Sequence, residues 1–238
     1  TAAATVGQTI YIRSGTYQEL ATFQANRQSC FWLNKVVRWK AYNGETVICT
    51  YGTIPTYDTI DYGPIVYASA NGATIEGITI IGTHAAGDSP GGGDLDCNVL
   101  VQNGQGVTLE NCTLQAFGHC GAKTLVGNLT MTDCVIEDGG FDGRDHCIYI
   151  SNTGTVIMRR STFQRAAGYG LHLYGTPQSV VIDGCTITDN GTVMAPNAGG
   201  GILAGGNGGY QISNCQITAN NGYGGLVLWK QPSINNVI

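Results

Sequence analysis

A short sequence phrase recurs six times within residues 74–217, and it restricts the chain to a repetitive architecture. The phrase reads apolar-x-apolar-x-x-small-x-apolar. Its small residue is, in turn, Gly77, Cys112, Cys134, Ser161, Cys185 and Cys215. Successive small residues are 22 to 35 positions apart. A short period with variable insertions is typical of a solenoid, in which each coil buries its apolar face only against its neighbours.

Alternating apolar and polar residues within each phrase indicate strands, and no segment shows the 3.6-residue period of a helix. Gly accounts for 36 of the 238 residues, and only 11% of residues are charged, which fits strands joined by tight turns. A β-propeller would need blades of about 40–45 residues, longer than these intervals. We therefore predict an all-β fold: a single-domain right-handed parallel β-helix with loop insertions, spanning residues 1–238.

The repeat also gives most of the nine cysteines a packing role. We predict one column of the core, with members roughly 4.7–4.9 Å apart, containing Cys112, Cys134, Cys185 and Cys215. The column before it should be a turn position, which suits Asn, Asp and Gly; it contains Asn111, Asp133, Gly184 and Asn214. Buried free thiols are favoured over one or two disulfides, because small thiols pack well in an apolar column and no C-x-x-C pair occurs.

Charge and hydropathy exclude two classes of partner. The net charge is −5, and Arg159 and Arg160 form the only basic cluster, so we predict no nucleic-acid partner. No apolar run reaches 18 residues, so we predict no membrane span. Both ends read as incomplete coils, and we expect them to be capped elsewhere or to support end-to-end or lateral self-association, because uncapped coils expose strand edges.

Two segments carry a family resemblance. Residues 9–19 (TIYIRSGTYQE) with residues 41–47 (AYNGETV) resemble the opening coils of the pectate-lyase-like β-helix superfamily, in the branch that includes chondroitinase B-type and alginate lyases. Residues 146–228 resemble the generic right-handed β-helix repeat of many secreted and phage proteins. The resemblance implies a secreted or cell-surface protein, of bacterial or phage origin, with a polysaccharide or oligosaccharide partner. Enzymes and inert structural proteins share this repeat, so it specifies the fold more than the activity.

One outward column combines residue types suited to catalysis. We predict that Lys123, Tyr149 and His172 are stacked on three consecutive coils and point outward, because the residues just before them are small or apolar and side-chain direction alternates along a strand. A register that matched Cys120 to Cys147 would bury Lys123, which is unfavourable for a lysine.

The residue types in this column suit β-elimination from an acidic glycan. That reaction needs a base for the proton α to the carboxylate, a group that neutralises the carboxylate, and an acid for the leaving oxygen. In the lyases that the chain resembles, a Lys and an Arg transfer the protons beside a calcium ion. We predict the catalytic residues Lys123, Tyr149, His172 and Arg144, and the substrate-binding residues His146, Arg160, Tyr174 and Trp229. The alternative is a set of solvated surface residues without a catalytic role.

The loop 137–145 holds four carboxylates among glycines. Such a loop suits calcium, which prefers oxygen ligands, and we name Asp138, Asp142 and Asp145 as candidate ligands. Paired carboxylates would also serve a glycoside hydrolase, which is the second functional reading. The third is a non-catalytic β-helix for glycan binding, adhesion or a phage fibre. Whether the protein is an enzyme is left open by the sequence.

Overall fold

The computed structural model describes most of the chain. The described residues are 4–18, 21–24, 27–29, 31–50, 61–62, 66–68, 71–82, 97–101, 105–152, 154–175, 177–193, 199–205, 209–229 and 233–237. Within them the regular structure is strand, apart from one 3₁₀ turn at Tyr42–Gly44.

Three long parallel sheets form the body of the molecule, and each coil contributes a strand to each sheet in turn. Sheet 1 contains Thr9–Ile12, Arg38–Ala41, Ala73–Glu76, Gln105–Glu110, Gly127–Thr132, Thr155–Arg159, Ser179–Asp183, Gly209–Ser213 and Ser233–Val237. Sheet 2 contains Gly15–Tyr17, Val47–Thr50, Ile78–Ile81, Thr113–Gln115, Val135–Gly139, Thr162–Ala166, Thr186–Thr188 and Gln216–Thr218. Sheet 3 contains Phe31–Leu33, Val66–Ala68, Cys97–Val101, Cys120–Thr124, His146–Asn152, Tyr169–Gly175, Gly200–Gly205 and Leu226–Trp229. The predicted all-β parallel solenoid is confirmed.

A small additional sheet lies outside this repeat. The strands Ala21–Gln24 and Arg27–Ser29 form an antiparallel hairpin, and Arg27–Ser29 also pairs in parallel with Asp61–Tyr62. These strands belong to the two early insertions, since they interrupt the passage from one long sheet to the next.

The core consists of side chains stacked in register from coil to coil. In sheet 1 one such column is Ile75, Leu109, Met131, Met158, Ile182 and Ile212, all buried. In sheet 2 a matching column is Ile80, Leu114, Ile136, Phe163 and Ile187. In sheets 1 and 2, every second residue of a strand therefore contributes to one continuous apolar interior.

The predicted turn and cysteine columns are confirmed at the corner between sheets 1 and 2. The turn residues adopt left-handed backbone angles, with φ of 50° at Asn111, 54° at Asp133 and 53° at Asn214, a conformation that Asn and Asp tolerate best after Gly. The next residue on each coil is the small one, and Cys112 and Cys134 are buried there. All eight described cysteines are free thiols, as predicted; Cys30 lies outside the described residues.

A second left-handed column forms the corner between sheets 2 and 3. Its members are Ala116, Asp138, Arg165, Asp189 and Ala219, with φ between 49° and 59°. After this corner, sheet 3 begins with two consecutive inward positions. A Cβ on Gly121 would lie 2.4 Å from Ile136 Cγ2, and its neighbour Ala122 is also in the core. The residue that precedes such a pair faces outward, which is the position of His146 on the next coil.

Candidate functional site

The register of sheet 3 places three predicted catalytic residues on consecutive coils. Lys123 pairs with Tyr149, and Tyr149 pairs with His172. The Tyr149 and His172 ring centroids are 4.9 Å apart and nearly perpendicular. Both side chains are partly exposed. The predicted register is therefore confirmed, whereas the catalytic roles of these residues remain predictions.

The predicted exposure of Lys123 is wrong, because its side chain is only 1% exposed. It points away from the solenoid core, with its Nζ 5.0 Å from the centroid of the Tyr149 ring. The outer face of sheet 3 is not exposed to solvent at this coil. Cys97, Leu100 and Cys120 form a buried apolar cluster there, and Trp32, Leu125 and Tyr149 pack against that cluster. An outward direction alone therefore did not imply contact with water.

The hydrogen bonds of His146 fix the protonation of two rings. His146 is buried, and its Nδ1 accepts the backbone N–H of Tyr169 at 3.0 Å. The ring proton must then be on Nε2, which lies 2.7 Å from His172 Nδ1 and donates to it. Burial, with the neighbouring His172, lowers the pKa of His146 well below its ordinary value. His146 is therefore a neutral residue that orients His172.

His172 is consequently a neutral donor at the surface of the site. Its Nδ1 accepts from His146, so the remaining proton is on Nε2. Burial and the nearby His119 lower the pKa of His172 to about 4. At neutral pH the ring thus offers an N–H group, and not a positive charge, to a bound molecule.

His119 and Asp145 form a pair that the sequence did not predict. Asp145 was named only as a candidate calcium ligand, and His119 was not among the predicted site residues. His119 Nδ1 lies 2.7 Å from Asp145 Oδ1. The other carboxylate oxygen accepts the backbone N–H groups of Phe141 at 2.6 Å and Asp142 at 2.9 Å. Asp145 is buried, while the His119 side chain is 23% exposed. The carboxylate favours a proton on Nδ1, so the lone pair of the uncharged ring lies on Nε2.

The sequence contained a signal for this pair. The register that matches Lys123 to Tyr149 also aligns His119 with Asp145, just before the two strands, and the backbone N–H of His146 donates to the His119 carbonyl at 3.0 Å. His119 completes a group of three histidines around Tyr149. Its ring centroid is 6.4 Å from that of Tyr149, and the His146 ring stacks on Tyr149 at 6.0 Å. We call His119, Asp145, His146, Tyr149 and His172 the corner cluster.

The predicted aromatic residues lie along one side of the corner cluster. Tyr174 is 46% exposed, and its ring centroid is 6.0 Å from that of His172. Trp229 is 55% exposed and pairs with Gly205, which follows Tyr174 in the same outward column. The two aromatic residues are thus two coils apart, about 10 Å, with a glycine between them.

The two predicted arginines lie differently. Arg144 is in the loop that carries Asp145 and pairs with Asp142 at 2.9 Å. Arg160 occupies the corner between sheets 1 and 2, where it donates twice to Asp133 at 2.8 Å. The structure therefore brings Arg144 near the corner cluster but places Arg160 at a different corner. The sequence could not show which arginine lies near the site, because residues in loops and turns are not aligned by strand pairing.

The three candidate calcium ligands do not converge. Asp138 binds Arg165 at 2.5 Å, Asp142 binds Arg144, and Asp145 binds His119. Across the described ranges, no group of three or more His, Cys, Asp or Glu side chains is placed to hold a metal ion. The calcium site remains a prediction.

The fold identifies the class of protein. The chain belongs to the right-handed β-helix family, because the family model described as "Right handed beta helix region" matches residues 62–238. The pectate-lyase-like superfamily is consistent with this match. A search of curated proteins gives no significant match. In the described part of the chain, no helix is long and apolar enough to cross a membrane. The fold supports a carbohydrate-active or other β-helix protein in general, so any specific reaction must be argued from the site.

Proposed function

We propose that the protein is a polysaccharide lyase-like enzyme that cleaves an acidic glycan by β-elimination at the corner cluster. One observation carries the proposal: a partly exposed His119, held through Nδ1 by the buried carboxylate of Asp145, lies beside Tyr149 and His172. A base, an acid and a neutral N–H donor thus share one surface. These are the groups that β-elimination requires.

His119 is the proposed base. Asp145 keeps the proton on Nδ1, so Nε2 is available to remove the proton at C5 of the uronate, next to its carboxylate. The buried carboxylate also stabilises the imidazolium that forms when His119 accepts this proton. Because Asp145 is itself held by two backbone N–H groups, the ring is fixed in one orientation.

Tyr149 is the proposed acid. As the electron pair of the broken C5–H bond forms the C4=C5 double bond, the C4–O bond breaks, and the departing oxygen takes the phenol proton of Tyr149. The Lys123 ammonium lies over the Tyr149 ring, and its attraction to the ring grows when the phenol becomes a phenolate. Lys123 is buried, so we assign it a positioning role and not contact with substrate.

His172 and Arg144 are the proposed partners of the substrate carboxylate. The Nε2–H of His172 is the donor left after its bond with His146. Arg144 pairs with Asp142, is 74% exposed and lies one residue before Asp145, which puts its guanidinium at the rim of the site. A hydrogen-bonded carboxylate makes the neighbouring C–H more acidic, which is the main electrostatic demand of the reaction.

Two carboxylates of the loop 137–145, Glu137 and Asp138, are less suited to hydrolysis than to the proposed reaction. An inverting or retaining glycosidase needs one carboxylic acid with a raised pKa. Here hydrogen bonds from Arg165 lower the pKa of Asp138. At Glu137, burial acts in the opposite direction, but hydrogen bonds from Gln115, Gln164 and Arg165 lower its pKa. Both pKa shifts favour the ionised form of Glu137 and Asp138, which does not suit the role of proton donor.

A panel of glycans tests the proposal. The protein is incubated with alginate, chondroitin, pectate and neutral glycans, each with and without calcium, and both ultraviolet absorbance of the new C=C bond and reducing ends are recorded. We expect absorbance and reducing ends to appear together with an acidic polymer. Reducing ends without absorbance would establish a hydrolase, and the absence of both would favour a non-catalytic glycan-binding or fibre role. The calcium arm tests whether that ion is a cofactor.

A further inference from the structure

The accessible part of the outer column is short. Tyr149 and His172 are partly exposed, but the members on the N-terminal side, Lys123 and Leu100, are buried. On the other side Leu203 is only 5% exposed. The opening above Tyr149, the proposed acid, and His172, the proposed donor to the substrate carboxylate, thus spans two coils. At the strand spacing of roughly 4.8 Å per coil, this is about the length of two sugar residues placed along the axis.

The N-terminal side of this opening is closed by packed side chains. Cys97, Leu100 and Cys120 form the buried cluster on the outer face, and Trp32 and Leu125 pack against it. A glycan chain that continued in that direction would run over this apolar surface, which is unfavourable for a hydrated polyanion.

The surface continues in the opposite direction through the next outward column. Ser151 is partly exposed, and Tyr174 and Trp229 are about half exposed. A Cβ built on Gly205, between the two aromatics, would lie 3.7 Å from Tyr174 Cδ2, so the Tyr174 ring leans over the glycine. The two exposed aromatic side chains on this column thus offer stacking surfaces for sugar rings along the axis.

We infer that the enzyme acts exolytically on its acidic glycan. The chain end occupies the two-coil opening at Tyr149 and His172, with its terminus against the apolar cluster, and the rest of the polymer runs over Tyr174 and Trp229 towards the C-terminal coils. This inference rests on the proposed function, because it assumes that the corner cluster cleaves glycosidic bonds.

Product analysis during early turnover tests the inference. The acidic polymer that gives the most product in the glycan panel is followed by ultraviolet absorbance, viscometry and size-exclusion chromatography. We expect one small unsaturated product from the first few per cent of conversion, with viscosity falling in step with absorbance. A rapid loss of viscosity with a broad series of oligosaccharides overturns exolytic action and leaves the proposed lyase function intact. No absorbance with any acidic polymer overturns both.

Substitution of Trp229 tests the proposed path of the polymer beyond the two-coil opening. Trp229→Ala should raise KM for the long polymer roughly tenfold, the effect of losing one aromatic contact, and should leave KM for the shortest cleaved oligosaccharide unchanged. Tyr11→Ala, which removes an exposed aromatic from sheet 1, is the control and should change neither value. Equal effects of Trp229→Ala on long and short substrates, or none on either, contradict the proposed path.

Discussion

Replacing Asp145 by Asn tests the proposed base without emptying its site. One carboxylate oxygen of Asp145 accepts two backbone N–H groups, and the other faces His119 Nδ1. In the variant, the amide oxygen can keep both backbone bonds, so the amide nitrogen must face His119. Two donors cannot share a hydrogen bond, and the ring proton therefore moves to Nε2, which removes the lone pair that would take the substrate proton.

The expected loss of rate is large and the expected loss of stability is small. A general base contributes about 10²- to 10⁴-fold, so we expect kcat to fall at least 100-fold with KM within a few-fold of wild type. Three charge-assisted hydrogen bonds, from His119 and from two backbone N–H groups, become neutral ones, which costs about 1–3 kcal/mol of unfolding free energy. The smaller cost of burying an amide offsets part of that loss.

The assay compares initial rates of ultraviolet product formation with chemical denaturation of the same preparations. Asp133→Asn is the matched control, because Asp133 is an exposed carboxylate in a left-handed turn that Asn accepts readily. We expect that control to keep its rate within twofold. If Asp145→Asn is folded and turns over within threefold of wild type, His119 is not the base and the reasoning fails.

Three further predictions follow from the same geometry. Tyr149→Phe keeps the ring contacts but loses the proton donor, so kcat should fall about 100-fold or more while KM changes little; steady-state kinetics that show an unchanged kcat would exclude Tyr149 as the acid. Lys123→Met keeps the bulk under Tyr149 without the charge, and kcat should fall roughly tenfold in a protein whose circular dichroism is unchanged, whereas full activity would mean that Lys123 only packs. The folded pKa of His172, about 4, lies below its ordinary value of 6.5, so the unfolded chain binds this proton first, and the contribution to stability falls as pH drops from about 6.5 towards 4. Denaturation at pH 7.5 and 4.5 should show a loss of roughly 2–3 kcal/mol from this group that is absent in His172→Gln; equal losses in both proteins would contradict the assigned burial.

Much of the fold was predictable because the repeat is local. One strand register fixes every other position in a parallel column, so the alternation around Tyr149 was sufficient to align Lys123 and His172. The small residue after each left-handed turn likewise identified the cysteine column. These features depend only on side-chain direction and backbone conformation, which a single strand and turn already encode.

The environment outside the coils was less predictable. Alternation gives the direction of Lys123 but not what lies over it, and the apolar cluster on that face includes side chains from other coils, among them Trp32, Cys97 and Leu100. The His119 and Asp145 pair lies in the turns before two strands, where no alternation applies. The double inward step at Gly121 and Ala122 shifts the direction of the residues before it, so a strict period of two could not place the corner.

His119→Gln offers the most direct test of the central claim, that the corner cluster carries out β-elimination. Glutamine can still donate to Asp145 but cannot accept a proton from substrate. Wild type and variant are mixed with the acidic glycan selected by the panel, and binding and unsaturated product are measured in the same samples. The account predicts similar binding by both proteins and product from the wild type alone. Product formation by His119→Gln at the wild-type rate would contradict it and would place the chemistry elsewhere on the solenoid.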